Sequence, residues 1–162
     1  MTQDHSRLLY LFFLLCGCSP GGFAAESVEG QWRTIDDETG RAKSVVEIAM
    51  TPDGLQGRVV DILHSDRGPN PLCEKCPGER RGKPITGMVI LWGLRKDKDD
   101  SWSGGKILDP AKGKIYKAKL RLQEDGRLAV RGFIGFSLLG RTQIWDPVEE
   151  VAEREKLVPF TD

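Results

Sequence analysis

Two cysteines spaced Cys73-Glu74-Lys75-Cys76 are the side chains in this 162-residue chain best placed to do chemistry. Such a pair can close a local disulfide, exchange thiols, or supply half of a metal site. In an exported protein the first reading leads, because oxidising compartments keep cysteines paired. Closing so short a loop constrains little of the unfolded chain, so its stabilisation is expected at or below about 2 kcal/mol. Thiol exchange needs the motif at a helix N-terminus, where the dipole lowers a thiol pKa. Pro71 before the pair and Pro77-Gly78 after it oppose that helix. A zinc site wants four ligands, or three and a water, and beyond the N-terminal segment only His64 joins the two sulfurs. No metal and no cofactor is therefore expected.

Other catalytic arrangements fare no better. His64 is flanked by Asp61 and Asp66 but has no nucleophile-elbow serine to serve. Gly104-Gly105 lacks the strand-to-helix context of a phosphate loop. The sequence reads as a protein that is not an enzyme.

Composition narrows the class further. Lys plus Arg and Asp plus Glu both number 24, so the formal net charge is zero and the basic face of a nucleic-acid binder is not expected. Hydrophobic residues make up 39% and charged residues 30%, enough for one globular core. Nineteen glycines and nine prolines spread between short apolar runs favour many turns and an all-β chain.

The N-terminal segment stands apart. Leu8 to Leu15 is an uninterrupted apolar run after Arg7, far shorter than the roughly 20 residues that span a bilayer. It reads as the apolar region of a secretory signal. Two processing outcomes stay open. Cleavage after Gly22-Phe23-Ala24 would free a mature chain, whereas Leu15-Cys16-Gly17-Cys18 is similar to a lipobox in which Cys18 is lipidated. Either outcome implies export, to the periplasm or to an outer-membrane anchor, with membrane attachment only through that lipid. The expected organisation is a signal and linker over 1–25, one domain over 26–147, and a charged tail over 148–162.

Within the domain, eight short runs alternate with turn residues. The strands are expected at 30–35, 43–50, 55–63, 86–94, 102–108, 114–122, 127–134 and 141–146. Thr51-Pro52-Asp53-Gly54 and Asp109-Pro110-Ala111-Lys112-Gly113 are turns in which Pro presets φ and Gly closes. In 114–122, Tyr116, Ala118, Leu120 and Leu122 fall on one face and Lys117, Lys119 and Arg121 on the other. Residues 64–84 interrupt this rhythm with a Gly- and Pro-rich excursion that must be pinned or functional. Eight hairpin-connected strands fit either a sandwich or a single antiparallel up-and-down barrel; the barrel is the expected form, and its closed interior is wide enough for one ligand. Closure would pair the Trp32 strand with the Arg141 strand. Trp32 and Arg141 are either a core aromatic and a surface charge, or a cation–π pair sealing one end at about 0.5–2 kcal/mol.

On these residues the chain resembles the bacterial family called domain of unknown function 2147. The resemblance rests on Gly30-Gln31-Trp32, the Cys73-x-x-Cys76 loop leading to Gly87-Met88-Val89-Ile90-Leu91, and Trp102-Ser103-Gly104-Gly105-Lys106-Ile107 with Asp109-Pro110. It continues through Gly113-Lys114-Ile115-Tyr116, Arg131-Gly132-Phe133 and Gly140-Arg141-Thr142-Gln143-Ile144-Trp145. It implies a secreted, lipocalin-like (calycin) barrel for small apolar ligands and supplies no catalytic residues. The expected function is binding of a small hydrophobic or amphipathic molecule in the calyx, with Met88, Ile90, Trp92, Tyr116 and Leu120 as candidate lining. The alternative is an envelope interaction protein with a filled barrel, using Arg80-Arg81-x-Lys83 as its surface. A thiol–disulfide oxidoreductase ranks third. The oligomeric state is left open.

Overall fold

Strands whose side chains alternate between apolar and polar bury one face, and a sheet that curls until its edges meet buries it without leaving an exposed edge. The computed structural model, which describes residues 27–148, shows this solution. The leader with Cys18 and the tail beyond 148 lie outside the described residues. The strands are β1 (Gly30–Ile35), β2 (Ala42–Thr51), β3 (Gly54–Ile62), β4 (Val89–Lys96), β5 (Ser101–Asp109), β6 (Lys114–Leu122), β7 (Leu128–Phe133) and β8 (Gly140–Pro147). Each pairs antiparallel with its neighbours in chain order, and β8 pairs with β1. The expected up-and-down barrel is the observed one.

Boundaries differ most at β4. Thr86-Gly87-Met88 does not extend that strand; it forms a turn in which the Met88 N–H donates to the Ile85 carbonyl at 3.0 Å. Register shifts interrupt the ladders at Val45/Val46, on both sides of Gly57, and between Trp102 and Gly105. Bulges of this kind bend strands and help a sheet close.

The two barrel ends differ in character. At the base, where β1 begins and β8 ends, Trp32 and Trp145 are almost wholly buried, as are Leu55, Leu94 and Leu128. The Trp32 Nε1–H donates to the Val28 carbonyl at 2.9 Å, so the segment before β1 folds under the barrel and satisfies the indole. Side chains fill this end.

Two short turns are fixed by carboxylates. Asp36 accepts from the Thr39 N–H at 2.9 Å and from the Thr39 hydroxyl at 3.0 Å, with Lys43 Nζ 3.3 Å away. These donors, those of Thr39 foremost, pull its pKa down to about 2. Asp99 accepts from the buried Ser101 hydroxyl at 2.6 Å and pairs with Arg121 and Lys119; its pKa likewise falls to about 2, chiefly through Ser101.

The expected closure pair is corrected. Trp32 sits opposite Pro147 in the β1–β8 ladder, six residues along β8 from Arg141, or roughly 20 Å at the usual rise. Arg141 instead pairs with Asp37 in the β1–β2 turn. The guanidinium that does lie over an indole belongs to Arg80, 4.7 Å from the Trp92 ring centre.

The two residues should therefore behave independently. Trp32→Ala is expected to cost about 3–5 kcal/mol in urea unfolding, and Arg141→Ala about 1 kcal/mol or less, because its ion pair is half exposed. The Asp36 and Asp99 carboxylates contribute to the acid limb. Both folded pKa values lie below the ordinary 3.8, so their contribution is complete above pH 3.8 and is lost as pH falls through about 2. Asp36→Asn with Asp99→Asn should flatten the loss of stability across that window, read by circular dichroism.

Candidate functional site

At the mouth, opposite the base, the inner wall changes composition. The interior face is fixed by near contacts: a Cβ on Gly57 would press on Leu91 and Val46, and one on Gly132 would lie 3.5 Å from Ile107 and Tyr116. Across the strands Gly105, Ala118, Gly132 and Arg141 are successive partners, so one interior rung carries nothing larger than a methyl until it reaches the arginine. Around the seam the wall is polar. The Thr34 and Ser44 hydroxyls share a 2.8 Å hydrogen bond, and both residues are buried. On β8 the Gln143 amide donates to Asp37 at 3.0 Å and accepts from the Trp145 indole at 3.3 Å, while Arg141 pairs with Asp37. A guanidinium has five N–H donors, so Arg141 keeps several for another acceptor.

The expected lining residues separate. Tyr116 and Leu120 are on the inner face, Leu120 fully buried opposite Val130. Ile90 and Trp92 flank Leu91, which points inward opposite Gly57, so alternation puts both on the outer face. Met88 precedes the strand. Their hydrophobicity comes from a second layer: the excursion between β3 and β4 folds against the outside of the wall. It adds Cys73, Cys76 and Ile85 to a continuous apolar cluster that holds Met88, Ile90 and Leu108 together with the interior residues. The placement of Met88, Ile90 and Trp92 in the calyx is thus corrected; they anchor a loop. Between this loop and the start of β4 lies an open cleft of about 800 Å³, lined in part by Arg80, Lys83 and Met88.

The excursion is pinned. The Cys73 N–H donates to the Lys83 carbonyl at 2.8 Å, the Ile85 N–H to the Pro71 carbonyl at 3.0 Å, and Leu72 bridges Pro84. Cys73 and Cys76 form a disulfide inside this small hairpin, with Cα atoms 5.4 Å apart. Both are fully buried and neither lies in a helix. Its tip presses against the β5–β6 turn so closely that a Cβ on Gly113 would run into the Lys75 backbone. A buried disulfide without a helix dipole is poorly suited to exchange. His64 stands on the exposed part of the excursion, 3.9 Å from Asp66. Asp37, Gln143, Thr34 and Ser44 were not singled out in the sequence. The visible trace was the inward spacing of Arg141, Gln143 and Trp145 on one strand.

The disulfide should stay oxidised in glutathione under native conditions, with peptide-resolved labelling finding free thiols at 73 and 76 only after reductant and denaturant together. Replacing both by serine is expected to cost about 2 kcal/mol or less.

Comparison with known proteins agrees with this geometry. A family described as an uncharacterized protein conserved in bacteria (domain of unknown function 2147) matches residues 30–146. No curated protein sequence matches the chain. Among solved structures, protein HP1028 from Helicobacter pylori, described as belonging to the lipocalin family, superposes with a TM-score of 0.67 at 21% identity. The match covers 84% of this chain and 93% of that one. The chain belongs to the domain of unknown function 2147 family and folds as a lipocalin-like barrel of eight strands.

Proposed function

We propose that this protein binds a small amphipathic molecule in the mouth half of its barrel. The observation that carries the reading is the change in the inner wall, from packed tryptophan and leucine at the base to glycine, alanine, serine, threonine and arginine above. Apolar atoms would rest on Ile107, Tyr116 and Leu120, and a polar or anionic head would meet Arg141 and Gln143. Tight ligand sites combine an apolar floor with a few placed polar groups in this way. The lipocalin-like fold supports the class of ligand.

Export belongs to the same proposal. Its support is the apolar run from Leu8 to Leu15, and cleavage near Ala24 or lipidation of Cys18 would set the mature N-terminus. Delivery of a sparingly soluble molecule through an envelope is work suited to such a barrel.

The filled base favours a second reading, an interaction protein with a largely packed interior. The surface it would use is the cleft beside Arg80 and Lys83.

Native mass spectrometry of protein extracted from its source, followed by titration with a medium-chain fatty acid and the matching alcohol, separates the two. Binding of both is expected, with Ala118→Leu blocking both. Arg141→Gln should weaken the acid roughly tenfold, as loss of one hydrogen bond to a charged group implies, and spare the alcohol. A purified chain that carries no small molecule and takes up neither probe would leave the interaction reading in its place.

A further inference from the structure

The β7–β8 connection, residues 134–139, is built of Ile-Gly-Phe-Ser-Leu-Leu and displays nearly all of its apolar surface. Ile134, Phe136, Leu138 and Leu139 are 64%, 80%, 89% and 74% exposed. Exposed apolar residues clustered in this way mark interaction sites. The loop is held in shape. Leu139 N–H donates to the Phe136 carbonyl at 3.0 Å, and Arg131 Nε donates to the Ser137 carbonyl at 2.8 Å, with a further bond from Nη2 to the Leu138 carbonyl at 3.3 Å. Lys117 Nζ reaches the Gly135 carbonyl at 3.4 Å. Two cations thus hold the backbone while the apolar side chains point to solvent.

The wall beneath is basic. Strands β6 and β7 carry Lys114, Lys117, Lys119, Arg121 and Arg131 and no carboxylate. Lys106 lies directly opposite Lys117, and Lys119 directly opposite Arg131. Like charges in cross-strand pairs are destabilising. Asp99 offsets Lys119 and Arg121 near the base. Among the described residues no carboxylate pairs with Lys106, Lys117 or Arg131, the cations nearest the loop. The fold thus tolerates an unfavourable arrangement directly below an apolar tip.

We propose that this end of the barrel docks on a bilayer containing anionic lipid, with Phe136, Leu138 and Leu139 entering the headgroup–acyl boundary and Lys106, Lys117 and Arg131 lying among the phosphates. Interfacial binding of this type draws on buried apolar area together with charge attraction. The surface is independent of whether the interior holds a ligand. It does place the mouth against the lipid, where an amphipathic molecule would enter or leave.

The test is sedimentation of the full chain with vesicles of phosphatidylcholine alone and of phosphatidylcholine with phosphatidylglycerol, at low and high salt. Phe136→Ser with Leu138→Ser is compared with wild type, and Lys106→Gln with Lys117→Gln forms a second arm. Every variant keeps the same N-terminal segment, so any anchoring by that segment cancels. Melting curves confirm that each variant is folded. Both arms are expected to lower partitioning onto the anionic vesicles roughly tenfold, and salt should reduce wild-type binding. Unchanged partitioning of the loop variant would overturn the proposal, as would equal wild-type binding to uncharged vesicles. A wild-type dimer that the loop variant splits, with vesicle binding unaltered, would show instead that a second copy covers the tip.

Discussion

The structure depends on closing one seam. An eight-stranded sheet left open between β1 and β8 would expose two unpaired edges and the apolar face behind them. Yet among the described residues the ladder across that seam contains only Trp32 opposite Pro147 and Arg33 opposite Asp146, both at the base. Toward the mouth β8 is tied to the β1–β2 turn by side chains: Asp37 takes Arg141 and Gln143. Backbone pairing closes the packed end, and polar side chains close the end where the inner wall carries smaller and more polar residues. A seam made of exposed ion pairs and amides is weaker than a ladder, because water competes for every partner. The same groups, for that reason, remain available to something entering the mouth.

The long excursion solves a different problem. A barrel strand with apolar residues on both faces needs cover outside as well as inside, and β4 supplies such a strand with Ile90 and Trp92 beside Leu91 and Leu94. The excursion lays Cys73, Cys76 and Ile85 on that outer face, and Arg80 over Trp92. The disulfide spans too few residues to restrict the unfolded chain much, so its role is local shape. It fixes a hairpin tip that must fit against the β5–β6 turn within the space that a glycine leaves.

This division explains what could be read from the sequence. Strand number, order and closure followed from alternation and from Pro-Asp-Gly punctuation, which are local signals with local causes. The inward faces of β6 were legible for the same reason, and Tyr116 and Leu120 sit where alternation puts them. Met88, Ile90 and Trp92 were misplaced because a strand covered on both sides shows no alternation; which of its faces lines the interior is decided by partners in β3 and β5. The Trp32–Arg141 pairing failed for a geometric reason. Two strands that must be neighbours need not bring their most conspicuous side chains to the same height, and height is set by register. The Asp37–Gln143 contact links positions far apart in the chain and leaves no local pattern at all.

Register also separates two kinds of chemistry along the axis. The base has spent its interior on tryptophan and leucine, and little there is left to bind. The mouth gathers the small rung of Gly105, Ala118 and Gly132, the polar seam, the exposed apolar loop and the cations that face no carboxylate. Apart from the seam contacts, these features do little to stabilise a barrel: small residues forgo burial, paired lysines repel, and exposed leucine contributes nothing to the fold. Their concentration at one end fits the proposal that this end meets something apolar and negatively charged. A protein that passed an amphipathic molecule between its interior and a lipid surface would need its weaker seam, its rung of small residues and its sticky loop together, and the topology brings all three to the same rim.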